Sequence, residues 1–222
     1  MSAFPVRGPS SFALRGRSYG SEPPEPASRS SRRARRWPVA GVVVLLLALA
    51  AWHLGGAAWI HAKAALSQRL IATAWKGTTA GGARRPWPWA DTRPVARLTV
   101  PSRHVELYIL SGASGRSLAF GPGHVDGTAL PGSAGNSVIV AHRDTHFAFL
   151  RHLREDEEIL VEDARGVVTR YRVREVAVVG KDQTRLLDPA DSPQLTLITC
   201  WPFDALRPGT AQRFVVIADR MA

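Results

Sequence analysis

From Pro38 to Ile60 the chain runs for 23 residues with no formal charge and a single ionisable side chain, His53. As an α-helix such a run spans roughly 30 Å, about the thickness of a bilayer core. It divides the chain into a short leader and a following domain, and neither part can be folded without regard to it. Immediately before it stands Ser31-Arg32-Arg33-Ala34-Arg35-Arg36, and Trp52 and Trp59 lie toward its far end. Arginines ahead of an apolar span keep that side cytoplasmic, and indole rings favour the membrane interface. The expected arrangement is a signal-anchor helix over 38–60 with residues 61–222 on the non-cytoplasmic side. A cleaved signal peptide is the competing reading, because Ala48-Leu49-Ala50 resembles an A-x-A cleavage site. Apolar character continues ten residues past that site, which favours retention. Under either reading the domain is exported.

The charge of the chain follows the same division. Lys and Arg number 29 against 18 Asp and Glu, a net +11, and residues 1–36 alone hold eight arginines and two glutamates. That leader is rich in Ser, Pro, Gly and Arg and too poor in apolar residues to offset the entropy of ordering, so 1–37 reads as a disordered basic cytoplasmic tail. A nucleic-acid arm would share this composition, but a basic tail abutting a membrane span is explained by topology and attraction to anionic lipid. Cys200 is the only cysteine. With no internal disulfide available, the fold stands on its hydrophobic core, and a free thiol in an oxidising compartment points to reactivity.

Beyond the apolar run, 61–86 reads as a helical stalk and linker, broken at Gly77 to Gly82 and followed by Arg84-Arg85-Pro86-Trp87-Pro88-Trp89. The remaining residues, 87–222, read as one β domain. Val95 to Val100, Val105 to Leu110, Ser137 to Ala141, Glu158 to Glu162, Val167 to Val179, Leu195 to Thr199 and Phe214 to Ala218 are short runs rich in β-branched and aromatic residues, separated by turn signals. This pattern implies an all-β barrel or sandwich. His146 to Leu153 is the one helical candidate within the domain. No repeat and no βαβ alternation is visible, which argues against Rossmann-like folds.

Three residues at strand mouths carry candidate chemistry. Cys200 ends the apolar strand Thr196-Leu197-Ile198-Thr199 and precedes Trp201-Pro202; taken alone it is more readily a small core hydrophobe, the commonest fate of a free cysteine. His142 ends Val138-Ile139-Val140-Ala141 and is followed by Arg143-Asp144; taken alone it is a surface histidine. Arg213 follows Pro208-Gly209-Thr210 and opens the last strand, where a lone arginine is ordinarily a solvated edge residue. Together they are what thiol acyl transfer requires: a thiolate to attack a carbonyl, an imidazole to move protons and a fixed cation to stabilise the oxyanion. Spacing alone does not prove that they meet.

The stretch Gly135-Asn136-Ser137-Val138-Ile139-Val140-Ala141-His142-Arg143-Asp144-Thr145-His146-Phe147 and the stretch Thr196-Leu197-Ile198-Thr199-Cys200, with Arg213 thirteen residues on, resemble the sortase family. The second stretch matches its T-L-x-T-C motif. The form Thr-Cys-Trp-Pro-Phe-Asp, with His-Arg-Asp-Thr-His-Phe, is more specifically similar to the subfamily of Gram-negative proteobacteria. Ala141 is a departure, since many relatives carry Gly there. The resemblance covers about residues 87–220. It implies a closed eight-stranded β-barrel with short helices, held in the inner (plasma) membrane by a single N-terminal helix, with the catalytic domain in the periplasm or outside. It further implies a cysteine transpeptidase that cleaves an LPxTG-like C-terminal sorting signal through a thioacyl-enzyme and passes the acyl group to an amine. By that similarity Cys200 is the nucleophile, His142 protonates the leaving amine and deprotonates the incoming one, and Arg213 holds the substrate backbone or the oxyanion. Thr199 and Trp201 become substrate contacts, and the loop from Gly121 to Gly127 borders the substrate groove. The chemistry needs no metal and no cofactor; its partners are the signal-bearing protein, the acceptor amine and the membrane, not nucleic acid.

Other motif matches are weaker. His142-Arg143-Asp144 lacks the Asn that a kinase catalytic loop needs, since position 149 is Phe149. His142 and His146 have zinc-pair spacing but not the Glu of H-E-x-x-H. Glu155-Asp156-Glu157-Glu158, with Glu162 and Asp163, could bind calcium by composition but reads more readily as a solvated turn. Gly121-Pro122-Gly123 is not followed by the G-K-S/T of a phosphate loop. The Ser-His-Gly-Cys stretch of L,D-transpeptidases is absent. Two alternatives to transpeptidation stay open on sequence: an exported cysteine peptidase that only hydrolyses, and a non-enzymatic exported peptide-binding β-domain with an inert Cys200.

Overall fold

The computed structural model of the chain describes residues 36–205, 207 and 209–221; for 36–39 and 53–65 that description is of the helical backbone alone. Contacts divide the chain into two units, Met1–Leu54 and Gly55–Ala222. Helix α1, Arg36–Thr79, runs through both. In the first unit its Val42 to Leu47, Leu49 and Trp52 are exposed, Trp52 by 80%. Among the described residues no helix is long and apolar enough to cross a membrane, and the expected anchor, 38–60, lies partly outside the residues whose side chains are described.

In the second unit the end of α1 is amphipathic and packed. Ser67, Ile71, Ala74, Trp75 and Thr78 are buried, a spacing that puts them on one helical stripe. Trp75 lies 6.5 Å from the Tyr108 ring, and Gln68 Nε2 donates to the Phe120 carbonyl. The stretch read from sequence as a stalk is therefore docked on the barrel over its last three turns. Thr78 Oγ1 donates to Ala74 O at 2.9 Å and Gly81, at φ 119°, turns the chain out of the helix.

The rest of this unit is a closed barrel of eight strands: β1 Pro94–Val100, β2 Val105–Ser111, β3 Gly123–His124, β4 Asn136–Val140, β5 Glu158–Asp163, β6 Val168–Gly180, β7 Gln194–Trp201 and β8 Gln212–Arg220. Their order around the barrel is β1-β2-β3-β4-β7-β8-β6-β5, closed by β5 against β1. The all-β, eight-stranded barrel implied by the resemblance is what the chain forms. Alternation explains the outer strands: β1 buries every second residue, with Ala96, Leu98 and Val100 inward, as a sheet with one wet face must. Leu98, Ile109, Ile139, Phe147, Leu150, Ile159, Tyr171, Leu195 and Leu197 fill the interior. Each such burial is worth about 1.5–3 kcal/mol relative to exposure.

Strand β4 is different, because Asn136 to Ile139 are buried on both faces. The loop after β3 lies along it through Val125 N–H to Val138 O and Ala129 N–H to Asn136 O. Asn136 Nδ2 donates to Leu186 O and Asp188 O, and its Oδ1 accepts from Thr196 Oγ1 at 2.8 Å. A strand covered on both sides reads as a continuous apolar run, which is how Ser-Val-Ile-Val-Ala reads.

Three local elements depart from expectation. β3 is only two residues long yet bridges β2, in parallel, to β4, antiparallel. At Gly123 a Cβ would lie 2.4 Å from Gly112 O, so the chain passes there only as glycine. The helix expected over 146–153 is a turn followed by a 3-10 segment, Ala148–His152. One turn of helix, α2, stands unforeseen at Gly115–Leu118, capped by Ser114 Oγ accepting from Ser117 N–H.

Candidate active site

Topology alone assembles the three candidate residues at one end of the barrel. β4 and β7 are parallel neighbours in the register Val140↔Ile198, so their C-terminal ends point the same way. β7 and β8 are antiparallel, which brings the start of β8 to the end of β7, with Cys200 directly opposite Arg213. Direct antiparallel partners sit about 5 Å apart at Cα and share a face. His142 comes two residues beyond Val140. The Ala141 N–H donates to Ile198 O at 3.3 Å, and Thr199 Oγ1 donates to Ala141 O at 2.7 Å. The residue before His142 is thus tied to the residue before Cys200.

The environments differ in a chemically useful way. Cys200 is half-buried, reachable rather than sealed in the core. His142 is exposed, and Arg213 is half-buried. Arg213 Nη1 donates to Thr210 O at 2.8 Å and Gln212 O at 2.9 Å; among the described residues its Nε and Nη2 carry no partner. The guanidinium is therefore braced on one arm and open on the other. His146 sits half-buried nearby, and burial, reinforced by the charge of His142 and opposed by Asp144, pushes its imidazole below the usual histidine range. It stays neutral where an ordinary surface histidine would begin to take up protons.

Thr199 and Trp201, expected as substrate contacts, face the interior. Thr199 is 2% exposed, and its hydroxyl is committed to Ala141. The bond uses the one proton of that hydroxyl and links it to the residue before His142. Trp201 is half-buried, stacked on Phe214 at 5.7 Å and edge-on to Phe203 at 5.6 Å. Arg151 lies over the Phe203 ring at 4.9 Å. These rings form one aromatic cluster beside the strand ends that carry Cys200 and Arg213.

Among the described residues no group of three or more His, Cys, Asp or Glu is placed to hold a metal. The acidic run instead meets arginines. The hydrogen bond from Arg103 holds the Glu157 carboxyl below the usual glutamate range, aided by Ser102 and the Arg154 N–H. Burial works against ionisation of Asp163, but hydrogen bonds from Arg165 and the Val167 N–H outweigh it and lower that carboxyl. Glu158 pairs with Arg170, and Glu162 with Arg97.

One residue of the region escaped the sequence reading. Arg143 is buried, and its guanidinium reaches the loop between β7 and β8. Standing next to exposed Asp144, it reads in sequence as half of a solvated charge pair, and only its place after His142 distinguishes it.

Known proteins share this architecture. A family model described as the sortase domain matches residues 98–221. Sortase D of Bacillus subtilis is 29% identical over 126 residues, which is 56% of this chain and 62% of that protein. The chain thus matches less than two thirds of the length of that relative. Sortase C-1 from Actinomyces oris superposes with a TM-score of 0.53 at 28% identity, over 70% of this chain and 98% of that one. For the lid mutant of sortase A from Corynebacterium diphtheriae the TM-score is 0.54 at 26% identity, over 71% and 95% of the two chains. With a family match across more than half of its residues and a barrel that ends in Cys200 opposite Arg213, the chain belongs to the sortase family.

Proposed function

We propose that the chain is a cysteine transpeptidase acting on an LPxTG-like C-terminal sorting signal. The observation that carries this reading is the junction of β4, β7 and β8, where Cys200 and Arg213 are cross-strand partners and Thr199 ties His142's strand to the nucleophile's. The thiolate of Cys200 attacks the carbonyl carbon after the signal's threonine. The carbonyl electron pair moves to oxygen, where the open arm of Arg213 donates hydrogen bonds. Collapse breaks the C–N bond, and His142 hands its proton to the departing amine. A second amine, relieved of a proton by His142, then attacks the thioester, and the C–S bond breaks to regenerate the thiolate. The half-buried position of Cys200 supports a reacting group over an inert core thiol.

The test is a peptide carrying Leu-Pro-Ala-Thr-Gly, incubated with the full-length protein with and without triglycine. Without acceptor, intact mass should show an adduct on Cys200. With acceptor, a ligated peptide should replace the hydrolysed one. Cleavage with no ligation at any acceptor concentration would make the protein a peptidase. No adduct and no cleavage with any related signal would leave a peptide-binding domain as the better account.

The family membership goes with an N-terminal anchor in this proposal. The uncharged run 38–60, the arginines before it and the exposed Val42 to Leu49 support a helix retained in the membrane, with a basic tail inside and the barrel outside the plasma membrane. The motif form around His142 and Cys200 supports the Gram-negative subfamily, hence the inner membrane. Full-length protein should stay in the membrane pellet through carbonate extraction. A soluble product beginning near Ala51 would mean a cleaved signal instead.

A further inference from the structure

Among the described residues Arg143 is the only Arg, Lys, Asp or Glu that is buried. Its acceptors are neutral oxygens of one loop. Nη2 donates to Ala205 O at 2.7 Å and Arg207 O at 2.9 Å, and Nη1 reaches Thr210 Oγ1 at 3.4 Å. That loop, 202–211, begins two residues after Cys200 and ends two residues before Arg213. It also supplies the Thr210 carbonyl that, with the Gln212 carbonyl at the start of β8, braces Arg213. On its other side Arg143 is bonded through the chain to His142, whose carbonyl accepts the Phe147 N–H at 3.0 Å, and Phe147 is fully buried.

We infer that Arg143 is a positioning residue: its planar guanidinium clamps the β7–β8 loop to the His142 turn and so fixes Cys200, His142 and Arg213 relative to one another. Two observations make this more than loop packing. The clamp joins the two chain segments that hold the histidine on one side and the cysteine and arginine on the other, segments about 60 residues apart in sequence. And Thr210 is shared: its hydroxyl meets Arg143 while its carbonyl braces Arg213. A shift of the loop therefore moves the oxyanion-binding arm directly. Arginine suits this task because its fixed fork engages several oxygens in one plane, which an ammonium cannot do. The kinetic consequence rests on the transpeptidase reading; the clamp does not.

The experiment compares wild type, Arg143→Met and Arg143→Lys as full-length proteins in detergent. Amide hydrogen exchange of 203–211 reads the clamp. Turnover of the Leu-Pro-Ala-Thr-Gly peptide with triglycine reads its consequence. In Arg143→Met the loop should exchange faster by about tenfold or more while β4 and β7 stay protected. The same variant should lose about 10²-fold in kcat, the cost of misplacing reacting groups, with KM changed only a few-fold. Arg143→Lys should fall between the two in both readouts, because one donor is restored. Wild-type loop exchange in Arg143→Met, or a loosened loop with unchanged kcat, overturns the proposal, and so does a loss confined to KM. If Arg143→Met unfolds the barrel, Arg143→Lys decides on the same criteria. If the wild type turns over no such peptide, it is the transpeptidase reading that fails, and the exchange of 203–211 alone decides whether the clamp exists.

Discussion

Cys200→Ala is expected to abolish both cleavage and transfer while the barrel remains folded. The structural cost is small: the side chain is half-buried at a strand end, and losing one sulfur there costs roughly 1 kcal/mol. The interior does not depend on it, because the strands around it are held by Leu195, Leu197, Val215 and Val216, all essentially fully buried. The chemical cost is total, since Cys200 is the only thiol of the chain and nothing else can form a thioester. The two consequences separate cleanly in measurement. Thermal unfolding should shift by only a few degrees, whereas the mass adduct and the ligated product should both vanish. A Cys200→Ala protein that retains turnover, or one that no longer folds, makes the residue structural and removes the centre of the proposed mechanism.

What the chain announces in sequence and what it conceals divide along a physical line. Strands β1 and β5 and the first half of β6 are legible because a sheet with one wet face must alternate, and β4 because cover on both faces leaves its valines and isoleucine in an unalternating run. β3 is concealed because two residues carry no period; Gly123 and His124 are a strand only because β2 and β4 leave them one gap to cross. The stretch from His146 to Leu153 has helical spacing, but eight residues cannot sustain a helix by propensity alone. Burial of Phe147, Leu150 and Leu153 dictates a turn and a 3-10 segment instead. The end of α1 shows in sequence only a helix-favouring composition, whereas the Ile71, Ala74, Trp75 stripe finds its partner only in the folded barrel.

The same line runs through the site. Cys200, His142 and Arg213 stand out as reactive types at strand ends, and parallel pairing of β4 with β7 brings those ends together. Thr199 and Trp201 sit beside the nucleophile in sequence. Pleating, however, turns consecutive side chains to opposite faces, so both lie on the face away from the Cys200 side chain, Thr199 bonded to Ala141 O and Trp201 stacked on Phe214.

Arg213→Lys should lower turnover by about 10²–10³-fold although the charge is kept, the range seen when one oxyanion-hole donor is lost. The geometry explains why charge alone does not suffice. In the wild type one arm of the guanidinium is anchored by Thr210 O and Gln212 O, and the remaining nitrogens are presented in a fixed plane on the face shared with Cys200. A lysine ammonium is a compact point charge on a flexible stem. Bound to the same two carbonyls it has no second arm to present; released from them it loses its fixed direction. Stabilising an oxyanion depends on donors oriented before the charge develops, so the loss falls on kcat more than on KM. Arg207 supplies the control, because it is exposed in the same loop and, among the described residues, contributes only its carbonyl, to Arg143. Arg207→Lys should turn over close to the wild-type rate. If Arg213→Lys is near wild type and Arg207→Lys is crippled, the oxyanion is held by a different arginine, and the pairing of Cys200 with Arg213 across β7 and β8 is only architecture.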